Sequence, residues 1–422
     1  MKKYDNFIVP LNFRNILYTV NTYPIMKSIK DVNFSGKKVL LRVDFNVPVD
    51  ENNRITDDTR MKESLPTINK LVTDGAAVII MAHFGRPKKG GFEAEFSLKP
   101  VAEHLSELLG KKVLFTQELL GDEVTKTATS MNNGDVFLLE NIRFYPGETK
   151  GDEELAKELA KLGDAYINDA FGAAHREHSS TATVAKCFPN DKYFGFLMEN
   201  EVRNLEKLMR SHEKPFTAII GGSKVSSKIE VLENLIPIVD NLIIGGGMMY
   251  TFFKALGGKI GSSLCEDDKL DLAKELLEKT EKHNTKLFLP IDSKIANKFA
   301  NDAETETVLS NEIPDGWLGL DIGDKSILSL SKVIDESRTI LWNGPMGVFE
   351  MSNFSKGTFA LGDAVAKATE KGAFSAVGGG DTIAAVKQAG IADKMSYIST
   401  GGGAMLEYLE GKTLPGIKAI LE

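Results

Sequence analysis

Several features that define common protein classes are missing from this sequence. The chain has only two cysteines, Cys187 and Cys265, which lie far apart and show no metal-ligand spacing. We expect both to act as small apolar side chains in a reducing compartment. No apolar run reaches the roughly 18 residues of a membrane span. The net charge of -8 argues against general binding of nucleic acid, which needs a broad basic surface. The composition therefore predicts a cytoplasmic protein with neither a membrane nor a nucleic-acid partner.

The usual nucleotide-binding motifs are missing as well. The sequence contains no G-x-x-x-x-G-K-[ST] segment, and no G-x-G-x-x-G segment follows a strand-like run. These absences argue against a P-loop and against the usual dinucleotide fingerprint. The H-R-D loop and the D-F-G triplet of protein kinases do not occur either. Any nucleotide phosphate must therefore be held by another arrangement.

Glycine clusters at the ends of apolar runs are the main feature of the second half. Glycine lets backbone N–H groups approach an anion closely, and the positive end of a following helix adds to the attraction. Several such turns at one edge of a sheet predict a nucleotide phosphate site. The runs and their glycines are Phe216–Ile220 with Gly221 and Gly222, Asn241–Ile244 with Gly245 to Gly247, Phe374–Val377 with Gly378 to Gly380, and Tyr397–Thr400 with Gly401 to Gly403.

Polar side chains follow the apolar runs of the first half in the same way. These runs do not alternate in polarity, which is typical of strands buried on both faces of a parallel sheet. Ligands of such sheets lie beyond the carboxyl ends of the strands. The first half therefore predicts a site for a small, multiply anionic molecule. The runs are Val39–Val43 before Asp44 and Asn46, Ala76–Met81 before His83 and Arg86, Val136–Leu139 before Arg143, and Ala165–Ile167 before His175 and Arg176.

The alternation of strand-like and helix-like segments from about Val39 onward predicts an α/β fold. At 422 residues the chain exceeds what one hydrophobic core usually supports. We expect two doubly wound parallel-sheet (Rossmann-like) domains joined by a hinge helix, Met198–Ser211, whose polar surface is typical of a bridge through solvent. The expected organisation is a disordered extension at 1–25, a first domain at 26–197, the interdomain helix at 198–211, a second domain at 212–405, and a C-terminal segment at 406–422 that returns to the first domain.

Seven motifs follow one another along the chain: Arg42-Val-Asp-Phe-Asn-Val-Pro48, His83-Phe-Gly-Arg86-Pro87, Glu140-Asn-Ile-Arg143-Phe, Asn168-Asp-Ala-Phe-Gly-Ala-Ala-His175-Arg176, Gly221-Gly-Ser-Lys224-Val-Ser-Ser-Lys228, Trp342-Asn343-Gly-Pro345-Met-Gly-Val-Phe-Glu350 and Gly378-Gly-Gly-Asp381-Thr382. These motifs and their order resemble those of the phosphoglycerate kinase family, and the resemblance covers roughly residues 26–422.

The resemblance implies a monomeric, two-domain glycolytic enzyme. Such an enzyme transfers a phosphoryl group from 1,3-bisphosphoglycerate to ADP, with Mg²⁺, and gives 3-phosphoglycerate and ATP. The implied glycerate-binding residues are Asp44, Asn46, Arg60, His83, Arg86, Arg143 and Arg176. The implied nucleotide-binding residues are Gly222, Lys224, Lys228, Gly245, Asn343, Glu350, Gly379, Gly380, Asp381 and Thr382.

Phosphoryl transfer depends mostly on positioning and charge stabilisation. We therefore expect Lys228 and Arg60 to be catalytic cations facing the transferring group from the two domains, and Asp381 to hold Mg²⁺. No general base is needed, because the attacking carboxylate is already ionised at neutral pH. His83 is then interpreted as a hydrogen-bond donor. Closure of the domains would exclude water from the site.

Two other functions compete with this one. A two-domain NAD-dependent dehydrogenase would share the alternating architecture but should show a dinucleotide fingerprint, which this sequence lacks. A catalytically inactive nucleotide-binding protein should have lost Lys228, Asp381 or Arg60, and all three are present. Without the family pattern, Asp381 is equally well interpreted as a helix N-cap, and Lys224 with Lys228 as a solvated helix face.

Overall fold

The computed structural model describes residues 27–118 and 120–422, so the extension predicted at 1–25 lies outside the described residues. The first half of the chain alternates strands with helices. Its strands are β1 (Lys38–Val43), β2 (Ala77–Met81), β3 (Val113–Phe115), β4 (Val136–Leu138), β5 (Ala165–Asp169) and β6 (Lys192–Phe194). Its helices are α1 (Thr59–Thr73), α2 (Lys99–Leu109), α3 (Asp122–Ser130), α4 (Glu153–Ala160) and α5 (Phe196–Arg210).

These six strands form one parallel sheet in the order β3-β4-β2-β1-β5-β6. Every residue of β2 and β5 is buried, and in β1 only Lys38 is partly exposed. Val39 of β1 pairs with Val78 on one side and with Ala165 on the other. Strands covered on both faces require such continuous apolar runs, which is why the sequence predicts them without alternation.

The second half contains the remaining elements. Its strands are β7 (Phe216–Ile220), β8 (Asn241–Ile244), β9 (Lys259–Ile260), β10 (Lys286–Phe288), β11 (Asp292–Ala296), β12 (Thr305–Leu309), β13 (Glu312–Ile313), β14 (Leu318–Ile322), β15 (Thr339–Asn343), β16 (Phe374–Gly378) and β17 (Tyr397–Ile398). Its helices are α6 (Ile229–Leu235), α7 (Met249–Ala255), α8 (Leu270–Lys282), α9 (Asp324–Asp335), α10 (Lys356–Glu370), α11 (Gly380–Gln388), α12 (Gly402–Leu409) and α13 (Pro415–Leu421).

Six of these strands form a second parallel sheet in the order β10-β8-β7-β15-β16-β17. The central strands β7 and β15 are fully buried and pair directly, with Phe216 opposite Thr339. Both sheets have helices between their strands. The predicted fold class, two parallel-sheet α/β domains, is confirmed.

The region between β11 and β14 departs from the predicted strict alternation. There β11 pairs antiparallel with both β12 and β14, and no helix lies between these strands. Most of β12 is exposed, in keeping with its polar sequence. Asn301-Asp302 lies before β12 and Pro314-Asp315-Gly316 before β14, and residues of these types favour tight turns over helices.

The predicted bridging helix is α5, and the expectation that solvent surrounds its polar residues is wrong for two of its glutamates. It begins at Phe196 rather than Met198 and ends at Arg210 rather than Ser211. Glu199 and Glu201 are both buried in it. Glu201 accepts hydrogen bonds from residues at the end of β17, so this glutamate is packed against the second sheet, whereas Arg203 and Arg210 of the same helix are exposed.

The C-terminal helix α13 lies against the first half of the chain. It contacts β6 and the short 3₁₀ segment Thr183–Cys187. The backbone N–H of Gly416 donates to the carbonyl of Ala174 at 2.8 Å. A Cβ atom at Gly416 would lie only 3.0 Å from the Ala174 Cα, so the close approach depends on glycine here. The last residues thus link the end of the chain to the first sheet.

The two cysteines differ in their surroundings. Cys187 is exposed, so the expectation that it is a packed apolar side chain is wrong, whereas Cys265 is partly buried against the core. Among the described residues, none of the helices combines the length and the apolar character that a membrane crossing needs.

Candidate functional site

Both parallel sheets reverse their strand order at their centre. In the first sheet, β2, β4 and β3 lie on one side of β1, and β5 and β6 lie on its other side. The reversal of strand order therefore lies between β1 and β5. In the second sheet it lies between β7 and β15. Ligands of open α/β sheets bind beyond the carboxyl ends of the strands at such points. The residues after β1 and β5, and after β7 and β15, therefore form the two candidate sites.

The first site is a cavity of about 210 Å³, which we call the basic cavity. It brings together all seven residues that the sequence predicts for glycerate binding: Asp44, Asn46, Arg60, His83, Arg86, Arg143 and Arg176. The rest of its lining comes from Gly172, Ala173, His175, Thr400, Gly401, Gly402 and Gly403. Residues separated by more than three hundred positions in the sequence thus share one small cavity.

Hydrogen bonds hold these side chains in place. Arg60 Nη1 lies 3.1 Å from Asp44 Oδ2 and also donates to the carbonyl of Asn46 at 3.2 Å. Asn46 Oδ1 accepts from the N–H of Gly85 at 2.9 Å, and Arg143 Nη1 donates to the carbonyl of Gly85 at 2.6 Å. Gly85 has φ +61 in this turn, a conformation that favours glycine.

The concentrated positive charge changes the titration of nearby groups. Burial lowers the pKa of Arg143 to about 10, and Arg176 and Arg42 contribute to the shift. Burial, followed by the charge of Arg42, holds the pKa of His83 well below its ordinary value, so the imidazole is neutral at physiological pH. Arg42 Nη2 lies 3.1 Å from His83 Nδ1. A guanidinium can only donate, so Nδ1 accepts and the His83 proton is on Nε2.

Two buried polar atoms at this site lack a hydrogen-bond partner among the described residues. They are Arg143 Nε and His175 Nδ1. A buried donor without an acceptor is costly, and an anion with several oxygens could supply the missing acceptors. His175 was not among the predicted site residues, although it directly precedes Arg176 in a recognised motif.

The fourth glycine cluster, Gly401 to Gly403, lines the basic cavity rather than the nucleotide site that sequence analysis predicts for it. The turn between β17 and α12 is held by Glu201, whose Oε1 accepts from the N–H of Thr400 at 2.7 Å. A Cβ atom at Gly401 would collide with the Phe171 ring at 2.1 Å. The packing of this turn against the segment after β5 therefore decides which cavity it serves.

The second site is a cavity of about 490 Å³, which we call the glycine cavity. Three predicted residues line it: Gly222, Glu350 and Asp381. One part of its wall is polar backbone, and another part is apolar. The additional lining residues include Gly246, Gly247, Gly319, Gly347, Met249, Tyr250, Leu264, Phe299, Leu318, Leu320, Met346, Val348 and Asp321.

Gly245 does not line the glycine cavity. A Cβ atom at this position would meet the Met346 side chain at 2.1 Å, so Gly245 packs beneath the wall. Its neighbour Gly246 lines the cavity and has φ +65. The sequence located this glycine cluster correctly, but it could not tell which member faces the ligand space.

Lys228, Asn343 and Thr382 form a connected polar group beside the end of β15. Lys228 Nζ donates to Asn343 Oδ1, and Asn343 Nδ2 donates to the carbonyl of Gly378 at 2.9 Å. Thr382 Oγ1 accepts from the N–H of Gly344 at 2.6 Å. Burial lowers the pKa of Lys228, opposed by the charge of Asp381. Interpreting Lys228 as a solvated surface lysine is therefore wrong.

The remaining predicted nucleotide residues surround the start of α11. Gly379 is the N-cap residue with φ +89, and a Cβ atom there would lie 2.9 Å from Asn343 Nδ2. Gly380 borders open space, and Asp381 is exposed in the first turn. Asp381 is not the cap of this helix, so that alternative is wrong. Lys224 is exposed and lines neither of the two cavities.

The two cavities have no lining residue in common, so Arg60 and Lys228 are not brought to one cavity in this conformation. The two halves do meet nearby. Asp57, just before α1, forms an ion pair of 3.6 Å with Lys387 of α11.

Comparison with known proteins agrees with this architecture. A family model described as phosphoglycerate kinase matches residues 29–412. A phosphoglycerate kinase of Porphyromonas gingivalis is 52% identical, covering 93% of this chain and 99% of its own. A cytosolic phosphoglycerate kinase of Arabidopsis thaliana is also 52% identical, covering 94% and 98%.

Solved structures give the same result. The phosphoglycerate kinase of Coxiella burnetii superposes with a TM-score of 0.87 at 44% identity, covering 93% of this chain and 98% of its own. That of Pyrococcus horikoshii has a TM-score of 0.78 at 31% identity, covering 94% and 98%. The resemblance drawn from the motifs is thus confirmed, and the chain belongs to the phosphoglycerate kinase family, the glycolytic phosphotransferases whose acceptor is a carboxyl group.

Proposed function

We propose that the basic cavity binds 3-phosphoglycerate or 1,3-bisphosphoglycerate and that the glycine cavity binds ADP or ATP. The observation that carries the proposal is the convergence of all seven predicted glycerate residues in one cavity. Arg60, Arg86, Arg143 and Arg176 supply positive charge there, while Asp44 and Asn46 orient Arg60. A small molecule with a phosphate and a carboxylate matches such a site in charge and size.

Within the basic cavity, His83 acts as a neutral donor through Nε2–H rather than as a base. Its lowered pKa and the hydrogen bond from Arg42 support this role. The attacking carboxylate of 3-phosphoglycerate has an ordinary pKa near ~4 and needs no deprotonation at neutral pH. The chain therefore contributes orientation and charge but no general base.

Within the glycine cavity, the apolar wall around Leu264 and Phe299 suits a nucleobase, and the backbone of Gly222 and Gly246 suits the phosphates. Asp381 would hold Mg²⁺ there. No cluster of three or more metal-ligating side chains occurs among the described residues. A single exposed carboxylate fits an ion bound chiefly by nucleotide phosphates and water. When bound, Mg²⁺ would neutralise phosphate charge.

Lys228 and Arg60 are the proposed catalytic cations. Each would stabilise the charge of the transferring phosphoryl group from its own side of the cleft. Because neither cavity contains both cations, we propose that the domains at 26–197 and 212–405 close about the interdomain helix 198–211 and the C-terminal residues Leu414–Glu422. Closure would also exclude water, which would otherwise compete as the acceptor.

The assembly and location are proposals too. We propose a monomer that works in the cytoplasm, in line with relatives from Arabidopsis thaliana and Triticum aestivum that are named cytosolic. Sedimentation of the purified protein at several concentrations tests the monomer. A mass that doubles as the concentration rises would refute it.

Calorimetric titration of 3-phosphoglycerate and of ADP with Mg²⁺ into matched variants tests the two-site assignment. Arg176→Ala should weaken glycerate binding at least tenfold, since it removes a charge-assisted bond, and leave ADP binding unchanged. Asp381→Ala should weaken ADP binding only when Mg²⁺ is present. If Arg176→Ala weakened ADP binding instead, the assignment would be wrong. ADP binding by the intact protein without any ATP formation would favour the inactive-binder alternative.

A further inference from the structure

A buried carboxylate is connected to the basic cavity by hydrogen bonds without lining it. Glu148 has 0% of its surface exposed and begins a short 3₁₀ turn, Glu148–Lys150, after the segment that carries Arg143. None of the roles described above uses it. A buried carboxylate is costly unless it is well hydrogen-bonded, so its partners are informative.

Both oxygens of Glu148 are occupied by one residue. Ser180 donates its backbone N–H to Oε2 at 2.9 Å and its hydroxyl to Oε1 at 2.6 Å. The same hydroxyl oxygen accepts from Arg42 Nε at 2.9 Å. Because the guanidinium can only donate, the Ser180 hydroxyl proton must point to Glu148. The direction of each hydrogen bond in the group is therefore determined.

Arg42 connects this group to the cavity. It is buried in β1 with only 1% exposed, and it uses three different nitrogens: Nε to Ser180, Nη1 to the carbonyl of Val43, and Nη2 to His83 Nδ1. Rotation of the guanidinium would break all three bonds at once. The bond to Nδ1 is the one that leaves the His83 proton on Nε2.

We propose that Glu148 is a positioning residue for phosphoryl transfer, which acts through Ser180 and Arg42 to hold His83 as the Nε2–H tautomer at the basic cavity. The inference rests on the proposed function in assigning His83 to the glycerate. Glu148 also ties the segment that carries Arg143 to the segment after Arg176, since Ser180 lies four residues beyond that arginine. Glu148 itself lies outside the cavity lining, so the proposed role is exercised through its neighbours.

Glu148→Gln tests this role, with Glu154→Gln as its matched control. A glutamine offers one acceptor oxygen to the two donors of Ser180, so one of these two hydrogen bonds is lost. Glu154 is exposed, and its partner is Lys157. We expect the KM for 3-phosphoglycerate to rise roughly ten- to a hundredfold in Glu148→Gln, as for other small displacements of binding groups. The KM for ATP should not change, and the control should match the intact protein.

Nitrogen-15 NMR of histidine-labelled protein reads the His83 tautomer directly. The intact protein should show Nε2 protonated, and Glu148→Gln should show a mixture of tautomers. Ser180→Ala should also give a mixture of His83 tautomers and a higher KM for 3-phosphoglycerate. The double variant should have the same KM as Glu148→Gln, because the two residues act in series. If Glu148→Gln does not fold, the same measurement on Ser180→Ala tests the proposal.

Two results would overturn the proposal. One is a folded variant in which the His83 tautomer and the KM for 3-phosphoglycerate are unchanged although its stability is lower. The other is an additive loss in the double variant. The NMR measurement needs no substrate, so it judges the role of Glu148 even if the intact protein failed to bind 3-phosphoglycerate and the proposed function were wrong.

Discussion

Substitution of Glu201 should separate the contribution of charge from that of hydrogen bonding at the junction between α5 and β17. The carboxylate is 1% exposed and accepts four hydrogen bonds. Oε2 accepts from the hydroxyls of Tyr397 and Ser399, and Oε1 from the N–H and the hydroxyl of Thr400. Burial raises the pKa of Glu201, whereas the donors of Tyr397 and Thr400 oppose that shift.

The magnitudes follow from these bonds. Glu201→Ala leaves four donors without an acceptor. Each unpaired buried group costs about 1–3 kcal/mol, and water entering the new space can satisfy some of them, so we expect a loss of about 3–5 kcal/mol. Glu201→Gln should cost only about 1 kcal/mol, because the hydroxyls of Tyr397 and Ser399 can turn to accept from the amide nitrogen. The N–H of Thr400 cannot turn, but it retains an oxygen.

Urea unfolding followed by tryptophan fluorescence measures these losses, since Trp317 and Trp342 both lie in the second half. Glu206→Ala on the same helix is the control: it removes a bond from Tyr408 and a partly buried ion pair with Arg210, for an expected cost of about 1 kcal/mol. Equal losses in Glu201→Ala and Glu201→Gln would refute the reasoning, because the ordering depends on which donors can turn.

Three further predictions concern the cavities and their surroundings. Lys228→Ala should lower kcat about 10²–10³-fold with little change in the KM for 3-phosphoglycerate. The assay is ATP formation, and Lys282→Ala, a change at an exposed lysine, is the control. An unchanged kcat would show that Lys228 takes no part in the mechanism. Gly379→Ala should weaken ATP binding, because the added methyl group meets the side-chain amide of Asn343, which is hydrogen-bonded to Lys228. Gly390→Ala is the control: Gly390 also has a positive φ, but the space around it is open. This control should lose only about 1 kcal/mol of stability and should bind ATP as the intact protein does. Calorimetry of ATP binding compares Gly379→Ala with Gly390→Ala. Equal affinities for ATP would show that the methyl group at position 379 does not disturb Asn343. Burial and Arg42 lower the pKa of His178 to about 4 from the ordinary value of 6.5. Between these two pH values the unfolded chain binds more protons than the folded chain, so the free energy of unfolding decreases as the pH falls. Between about pH 8 and about pH 5 the free energy of unfolding, measured with urea, should decrease by about 2 kcal/mol more in the intact protein than in His178→Gln. If the free energies of the two proteins changed in parallel with pH, the pKa of His178 would not be lowered.

Much of the fold follows from local patterns in the sequence. Continuous apolar runs such as Ala77–Met81 predict strands buried on both faces, because only a parallel sheet covered by helices removes every side chain from water. The sequence does not predict the interruption at β11 to β14, since short polar strands such as Thr305–Leu309 give little periodic signal. It does predict the helix α5, but it places in solvent two glutamates that are buried. Charged residues in a helix are usually exposed, and only a partner distant in sequence can change that.

The sequence by itself determined the chemistry of the two halves: arginines and a histidine after the strands of one sheet, glycines after the strands of the other. Strand ends of parallel sheets meet at one edge, so residues placed there by local sequence converge without further information. Only the tertiary structure decided that Gly401 to Gly403 line the basic cavity, that Gly246 rather than Gly245 lines the glycine cavity, and that Glu148 and Glu201 are buried. These outcomes depend on contacts between segments that are distant in the sequence, and contacts of that kind leave no periodic pattern in the chain.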